Sequence, residues 1–205
     1  FISVAEESGL ILRLGDWVIV QACQALAQLQ ATRPTLSLPV NVSPRQLHQE
    51  DFVERIRSIL QQTGAPPTQL ILEITETLLV DSLDTIVRMS ELVQMGIRFS
   101  IDDFGTGYSS LSYLHRLPIT ELKLDKSFVQ DLEHSETARA LTISVLSIAK
   151  SLGMTVVAEG VETSQQCRWL KEHGCEVMQG YLLGRPMPAH MLHAWSLEAS
   201  AVCCS

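Results

Sequence analysis

Short apolar runs alternate with longer amphipathic segments along most of the chain. Most of the short runs are apolar on both faces, which is typical of strands in a parallel sheet that is covered on both sides. We interpret them as six strands, over 36–42, 69–75, 97–103, 120–125, 154–159 and 176–181.

The segments between these runs have apolar residues at helical spacing. They predict five helices, over 16–31, 51–62, 82–95, 135–152 and 163–173, and Pro188 begins one more helical pattern. Glycine follows four of the five, at Gly64, Gly96, Gly153 and Gly174. Because glycine readily adopts the left-handed conformation that ends a helix, these positions predict where the helices stop.

This alternation predicts parallel strands joined by crossover helices, either as an open doubly wound sheet or as a closed (β/α)8 barrel. An open sheet gathers its functional residues at one switch point, whereas a barrel gathers them from the ends of many strands. Polar residues end every predicted strand here, which favours the barrel: Asn41, Glu73, Asp102 with Asp103, Lys123 or Asp125, Glu159 and Gln179.

The spacing of these strand ends is about 28 residues per βα unit, so eight units need about 220 residues. The chain has 205 residues and six predicted strands, and its first 35 residues contain a helix with no strand before it. We therefore expect an α/β barrel of the (β/α)8 TIM type that is truncated at its N-terminus by one or two strands.

Charge and hydropathy narrow the range of partners. The net charge is −8, from 15 basic and 23 acidic residues, and no basic cluster stands out, which argues against binding to a DNA or RNA duplex. No uninterrupted apolar run approaches the length of a membrane span, and no signal-peptide pattern is visible. We expect a cytoplasmic protein with no membrane contact from this segment.

The predicted strand ends bring together many carboxylates and few cations. Glu73, Asp102, Asp103 and Glu159 face one lysine, Lys123, so the carboxylates call for added positive charge. Carboxylate oxygens, with the amide oxygen of Asn41, are ligands that suit Mg²⁺ or Mn²⁺. Two such ions could clamp a phosphoryl group during displacement. The alternative interpretation is an ordinary ion-pair network at strand ends.

Six motifs resemble the EAL domain family of bacterial cyclic di-GMP phosphodiesterases. In chain order they are NVSPRQL (41–47), LEITET (72–77), DDFGTGYSSL (102–111), LKLDKSFV (122–129), AEGVET (158–163) and QGYLLGRP (179–186). The resemblance implies hydrolysis of cyclic di-GMP to linear pGpG at a site with two Mg²⁺ or Mn²⁺ ions. It also implies an EAL domain over 1–197 that lacks its first strands, with a C-terminal tail over 198–205.

The resemblance implies a role for each matching residue. Metal ligands match Asn41, Glu73, Asp102, Asp103 and Glu159. Lys123 matches a catalytic lysine that positions or deprotonates the attacking water, and Glu159 matches a catalytic carboxylate tied to the metal and the water. Gln179 and Glu162 match polar residues assigned to substrate binding, and Glu76 matches the glutamate that anchors the DFGTGYSS loop.

The family's signature Glu-Ala-Leu, with an arginine two residues later, does not occur in this chain. A non-catalytic cyclic di-GMP receptor or regulatory module, or an inactive fragment, therefore stays open beside the enzyme. The resemblance also allows a homodimer, and sensory or diguanylate cyclase (GGDEF-type) domains in the parent protein.

Overall fold

The computed structural model describes residues 1–76, 83–105, 114–188 and 191. The chain forms two compact units. The first contains the described residues of Phe1–Asp102 and Gly107–Thr120, and the second contains those of Asp103–Thr106 and Glu121–Ser205.

The first unit is built on three parallel strands with helices between them. In chain order its elements are α1 (Ile2–Ser8), α2 (Leu10–Leu29), β1 (Leu38–Asn41), α3 (Pro44–Leu47), α4 (Phe52–Thr63), β2 (Leu70–Thr75), α5 (Leu83–Gln94) and β3 (Arg98–Phe104), whose last two residues belong to the second unit. β2 pairs with β1 on one side and with β3 on the other, both in parallel.

The second unit repeats the same organisation. Its elements are β4 (Glu121–Leu124), α6 (Lys126–Gln130), a 3₁₀ helix (Asp131–Glu133), α7 (Glu136–Ser151), β5 (Thr155–Ala158), α8 (Ser164–Glu172) and β6 (Val177–Met178). β5 pairs in parallel with β4 and with β6. In both units the order of the strands across the sheet follows their order along the chain, as expected for successive βα units.

The core of the first unit lies where the helices cover the strands. Ile19 and Leu26 of α2, Phe52 of α4, and Leu72 and Phe99 of β2 and β3 are completely buried. Burying each such side chain contributes about 1.5–3 kcal/mol of hydrophobic free energy. In the second unit the corresponding cluster joins α7 and α8 to β4 and β5.

Helix α2 is long and apolar enough to cross a membrane by length and composition alone, with a mean hydropathy of 1.3. Core helices of water-soluble domains pass the same test. Here α2 packs against β1 and α4, and its Asp16 lies 3.7 Å from the guanidinium of Arg55 on α4. These contacts pack α2 against the sheet and the neighbouring helix of the first unit.

The structure confirms the α/β pattern of six parallel strands and the five predicted helices. Glycines with positive φ follow α4, α5, α7 and α8, as predicted. Within the part of the chain that the structure describes, the short helices α1, α3 and α6 were not predicted, because four to seven residues carry too little periodicity. Strand β6 is also shorter than predicted, since the chain turns at Gly180, whose carbonyl accepts a hydrogen bond from Leu183. The helix predicted after Pro188 falls almost entirely outside the described residues.

The end of α4 offers a test of the predicted helix stops. Gly64 has φ 69°, and a β-carbon added there would meet nothing within 4 Å. Gly64→Ala should therefore act through backbone strain alone and lower the free energy of unfolding by about 1 kcal/mol, measured by urea denaturation. The loss of free energy of unfolding should be smaller for Gly64→Asn, because asparagine tolerates this conformation better than alanine. Equal stability of Gly64→Ala and the natural protein would contradict this account.

Candidate active site

Three predicted site residues lie on neighbouring strands of the first unit. Asn41 is the register partner of Glu73, and Asp102 is the register partner of Thr75, two residues beyond Glu73. Side chains alternate between the two faces of a strand, and register partners share a face. The register therefore places Asn41, Glu73 and Asp102 on the same face of this sheet.

Glu73 is the most deeply buried of these three residues. It is 5% exposed, and its neighbours Leu72 and Ile74 are 0% and 2% exposed. Its backbone carbonyl accepts a hydrogen bond from the Val42 amide at 2.8 Å, which ties β2 to the end of β1. A carboxylate buried to this degree needs cations or hydrogen-bond donors around it.

The two adjacent aspartates differ in backbone conformation and exposure. Asp102 is partly buried within β3, whereas Asp103 is exposed and has φ 53°. Asp103 is the one described non-glycine residue with positive φ. This conformation is uncommon for a residue with a β-carbon and is concentrated at functional sites. The left-handed conformation of Asp103 interrupts the alternation of side chains between the two faces of β3, at the position where two aspartates are adjacent.

An ion pair occupies the ends of the strands in the second unit. The Lys123 Nζ atom donates to the Glu159 Oε1 atom at 2.8 Å, and the two side chains are 8% and 17% exposed. One carboxylate oxygen of Asp103 lies within 4.8 Å of one of Glu159. Strand register explains the pairing, because Lys123 is the partner of Val157 and Glu159 lies two residues further on the same face.

The residue two positions after Lys123 fixes the chain as it leaves β4. The Asp125 side chain caps α6 by accepting from the amide of Ser127 at 3.0 Å. Partial burial acts to raise the pKa of Asp125, but the hydrogen bonds from Ser127 and the positive charge of Lys126 outweigh it and lower the pKa below its ordinary value. Asp125 is therefore a helix cap, and Lys123 is the residue that faces Glu159.

The other predicted site residues are less closely tied to this geometry. Glu76 is buried, at 8% exposed, just after β2, but most of the loop that it is predicted to anchor lies outside the described residues. Gln179 and Glu162 are exposed in the second unit. The Gln179 amide donates to the Ala158 carbonyl at 2.8 Å, which places Gln179 beside Glu159 in the backbone. Their substrate-binding roles stay predictions.

Gln166 is a further residue near the site that was not predicted from the sequence. Its side chain is 5% exposed and accepts hydrogen bonds from the amides of Glu162 and Thr163, on the segment that carries Glu159. The signal was present in the sequence, because Thr163 and Gln166 have the spacing of a capping box.

The side chains present fit a divalent metal ion. Two oxygen ligands of one Mg²⁺ ion, each about 2.0–2.1 Å from it, are at most about 4.2 Å apart. The separation of up to 4.8 Å between the carboxylates of Asp103 and Glu159 therefore needs little or no movement to admit an ion. The predicted ligand set contains oxygen donors alone, as Mg²⁺ and Mn²⁺ prefer.

Comparison with known proteins identifies the family. The family model named EAL domain matches residues 1–186. The chain belongs to the EAL domain family. The motifs on which the resemblance was based are therefore those of an EAL domain, and the predicted fold class is confirmed by solved structures of the family.

This EAL domain is similar to larger signalling proteins. It is 41% identical over 196 residues to the bifunctional diguanylate cyclase/cyclic di-GMP phosphodiesterase MucR of Pseudomonas aeruginosa, and the match covers 95% of the chain and 29% of MucR. The chain spans less than a third of the length of such relatives.

Two solved structures have a fold similar to that of this chain. The PaMucR phosphodiesterase in complex with c-di-GMP has a TM-score of 0.89 and 41% identity, over 94% of this chain and 78% of that one. A manganese and cyclic di-GMP complex of BlrP1 from Klebsiella pneumoniae has a TM-score of 0.76 and 34% identity, over 85% and 45%.

The Lys123–Glu159 ion pair predicts a measurable coupling in this EAL domain. Glu159→Gln removes the carboxylate that accepts from the Lys123 ammonium at 2.8 Å and should lower the free energy of unfolding by about 1.5–3 kcal/mol in the presence of EDTA, as expected for a hydrogen bond to a charged group. Lys123→Met should destabilise for the converse reason. The loss of free energy of unfolding in the double variant should be clearly smaller than the sum of the losses in the two single variants, measured by denaturant unfolding. Strictly additive losses would show that the pair contributes no coupling.

Proposed function

We propose that this EAL domain hydrolyses cyclic di-GMP to linear 5′-pGpG and requires Mg²⁺ or Mn²⁺. The observation that carries the proposal is the Lys123–Glu159 ion pair at 2.8 Å, with the Asp103 carboxylate within 4.8 Å of Glu159. The names of its relatives support the same activity, since MucR is a cyclic di-GMP phosphodiesterase and the BlrP1 complex contains manganese and cyclic di-GMP.

The metal ions in this proposal are held by oxygen atoms. The ligands would be the carboxylates of Glu73, Asp102, Asp103 and Glu159 and the amide oxygen of Asn41. When bound, two ions supply the positive charge that attracts the phosphodiester and stabilises the charge that develops on it. This requirement is strong here, because the chain has a net charge of −8 and its substrate is an anion.

Hydrolysis of one phosphodiester of the cyclic dinucleotide consumes one water. Its hydroxyl group becomes bonded to phosphorus, the bond from phosphorus to the 3′ oxygen breaks, and that oxygen receives a proton. We assign Lys123 to the orientation of the attacking water, because its ammonium is held in place by Glu159 within a largely buried strand end. Glu159 fixes the direction of the lysine side chain, which is the positioning that a displacement in line requires.

The same resemblance supports a proposal for the cellular location of the domain and for its neighbouring domains. We propose that it works in the cytoplasm as one module of a larger signalling protein with sensory or GGDEF-type domains. Homodimerisation stays a prediction of the resemblance.

The decisive experiment is hydrolysis of cyclic di-GMP by the 205-residue chain with Mg²⁺ or Mn²⁺, with pGpG followed by chromatography. Glu73→Ala should lower turnover by more than about 100-fold, since even the outer partners of metal ligands contribute about 10–100-fold. Glu91→Ala is the matched control, because Glu91 is an exposed carboxylate on α5, and it should leave turnover unchanged.

Turnover that survives EDTA, or that Glu73→Ala leaves unchanged, would contradict the proposed mechanism. Binding of cyclic di-GMP by the folded chain without any pGpG would favour the non-catalytic receptor. A folded chain that neither binds nor hydrolyses the dinucleotide would be an inactive fragment.

A further inference from the structure

The segment from Glu159 to Thr163 is held by backbone hydrogen bonds at several points. The amide of Glu159 donates to the Leu124 carbonyl at 3.1 Å, which continues the β4–β5 ladder by one step. Val161 donates to the Gln179 carbonyl at 3.0 Å and accepts from the Leu182 amide at 3.0 Å. These bonds fix the start and the middle of the segment.

A close approach between two loops adds a steric constraint. Gly160 has φ 70°, and a β-carbon added there would lie 2.6 Å from the Cβ atom of Lys126. The glycine thus lets the residue after Glu159 lie directly against the start of α6, three residues after Lys123. The two strand ends that carry the ion pair are packed together at this point.

Gln166 holds the far end of the same segment from inside the protein. Its Oε1 atom accepts from the amide of Glu162 at 2.8 Å and from the amide of Thr163 at 3.1 Å. In return the Thr163 hydroxyl oxygen accepts from the Gln166 amide at 3.1 Å. A capping box usually joins the N3 side chain to the N-cap amide alone, so the bond to Glu162 extends this one into the preceding loop.

Thr163 also ties the segment to a neighbouring element. Its hydroxyl donates to the Glu133 Oε1 atom at 2.6 Å. Glu133 belongs to the 3₁₀ helix before α7, and its backbone carbonyl accepts from the Arg139 guanidinium at 2.8 Å. The end of the segment is therefore fastened both to α8, through Gln166, and to α7, through Glu133 and Arg139.

We propose that Gln166 is a positioning residue for Glu159. Gln166 fixes the amides of Glu162 and Thr163, and that fixes the backbone on which the Glu159 carboxylate meets the Lys123 ammonium. This inference rests on the proposed function for its catalytic consequence, whereas the restraint of the segment follows from the hydrogen bonds alone. Functional side chains must be held within about 0.5 Å of their productive positions, and two hydrogen bonds to one buried acceptor provide that restraint.

The test compares two substitutions of one side chain. Gln166→Leu keeps the approximate volume and the helix propensity but removes the acceptor, whereas Gln166→Glu keeps an acceptor at the same place. Ser135→Ala is the matched control, because Ser135 caps α7 with one hydrogen bond to the Ala138 amide and lies outside the segment. It measures the effect of a lost helix cap alone.

Three readouts are taken on the full chain: hydrogen exchange of the Glu162 and Thr163 amides by NMR, the dissociation constant for Mn²⁺, and kcat with KM for cyclic di-GMP. In Gln166→Leu the two amides should exchange about tenfold faster and Mn²⁺ should bind about tenfold more weakly. Its kcat should fall about tenfold or more, with KM within about twofold of that of the natural chain. Gln166→Glu should restore all three, and Ser135→Ala should change none of them.

Unchanged exchange in Gln166→Leu would overturn the proposed restraint, whether or not the natural chain is active. Faster exchange with unchanged kcat and Mn²⁺ affinity in an active protein would overturn the positioning role. The same loss in Ser135→Ala, or no recovery in Gln166→Glu, would show that the effect is one of helix stability. A natural chain without turnover would refute the proposed function by itself, and weaker Mn²⁺ binding together with faster exchange would then still support the positioning of Glu159.

Discussion

The strictest physical constraint on this EAL domain is that one lysine and one glutamate are both largely buried. Two charges in such surroundings are stable only when they lie at hydrogen-bond distance and stay there. The 2.8 Å contact between Lys123 and Glu159 meets that demand through strand register, because Lys123 lies opposite Val157. A slip of β5 by one residue would turn Glu159 to the other face of the sheet and break its contact with Lys123.

Helix caps that follow the strand ends serve the same requirement. Ser43, Asp125 and Thr163 each cap a helix, and they follow Asn41, Lys123 and Glu159 by two to four residues. A short loop between a paired strand and a capped helix leaves the backbone few alternative conformations. Residues at the carboxyl ends of barrel strands carry the chemistry in enzymes of this fold, so local capping and the placement of functional side chains are achieved by the same residues.

Much of the architecture was predictable from the sequence. Runs that are apolar on both faces gave the strands to within a few residues, and glycine stops such as Gly64 and Gly153 marked helix ends. Helix α2 begins at Leu10, six residues before its predicted start, and the other errors concern short elements, which are set by their surroundings. Strand β6 ends where the chain turns at Gly180, and there Gly180 packs so closely against the Val161 backbone that an added β-carbon would lie 2.2 Å from its carbonyl oxygen. A strand of two residues is too short to have a sequence periodicity from which such a contact could be predicted.

The sequence by itself determined which chemistry the chain can offer. Its motifs, its spacing of polar residues at strand ends and its excess of carboxylates over lysines identified the family and the candidate ligands. Tertiary structure alone decided that Lys123 pairs with Glu159 across two strands and that the Asp103 carboxylate lies within 4.8 Å of the Glu159 carboxylate. These features depend on distances between residues far apart in the chain, and such distances are set by strand register and packing, whereas composition and periodicity report only local preference.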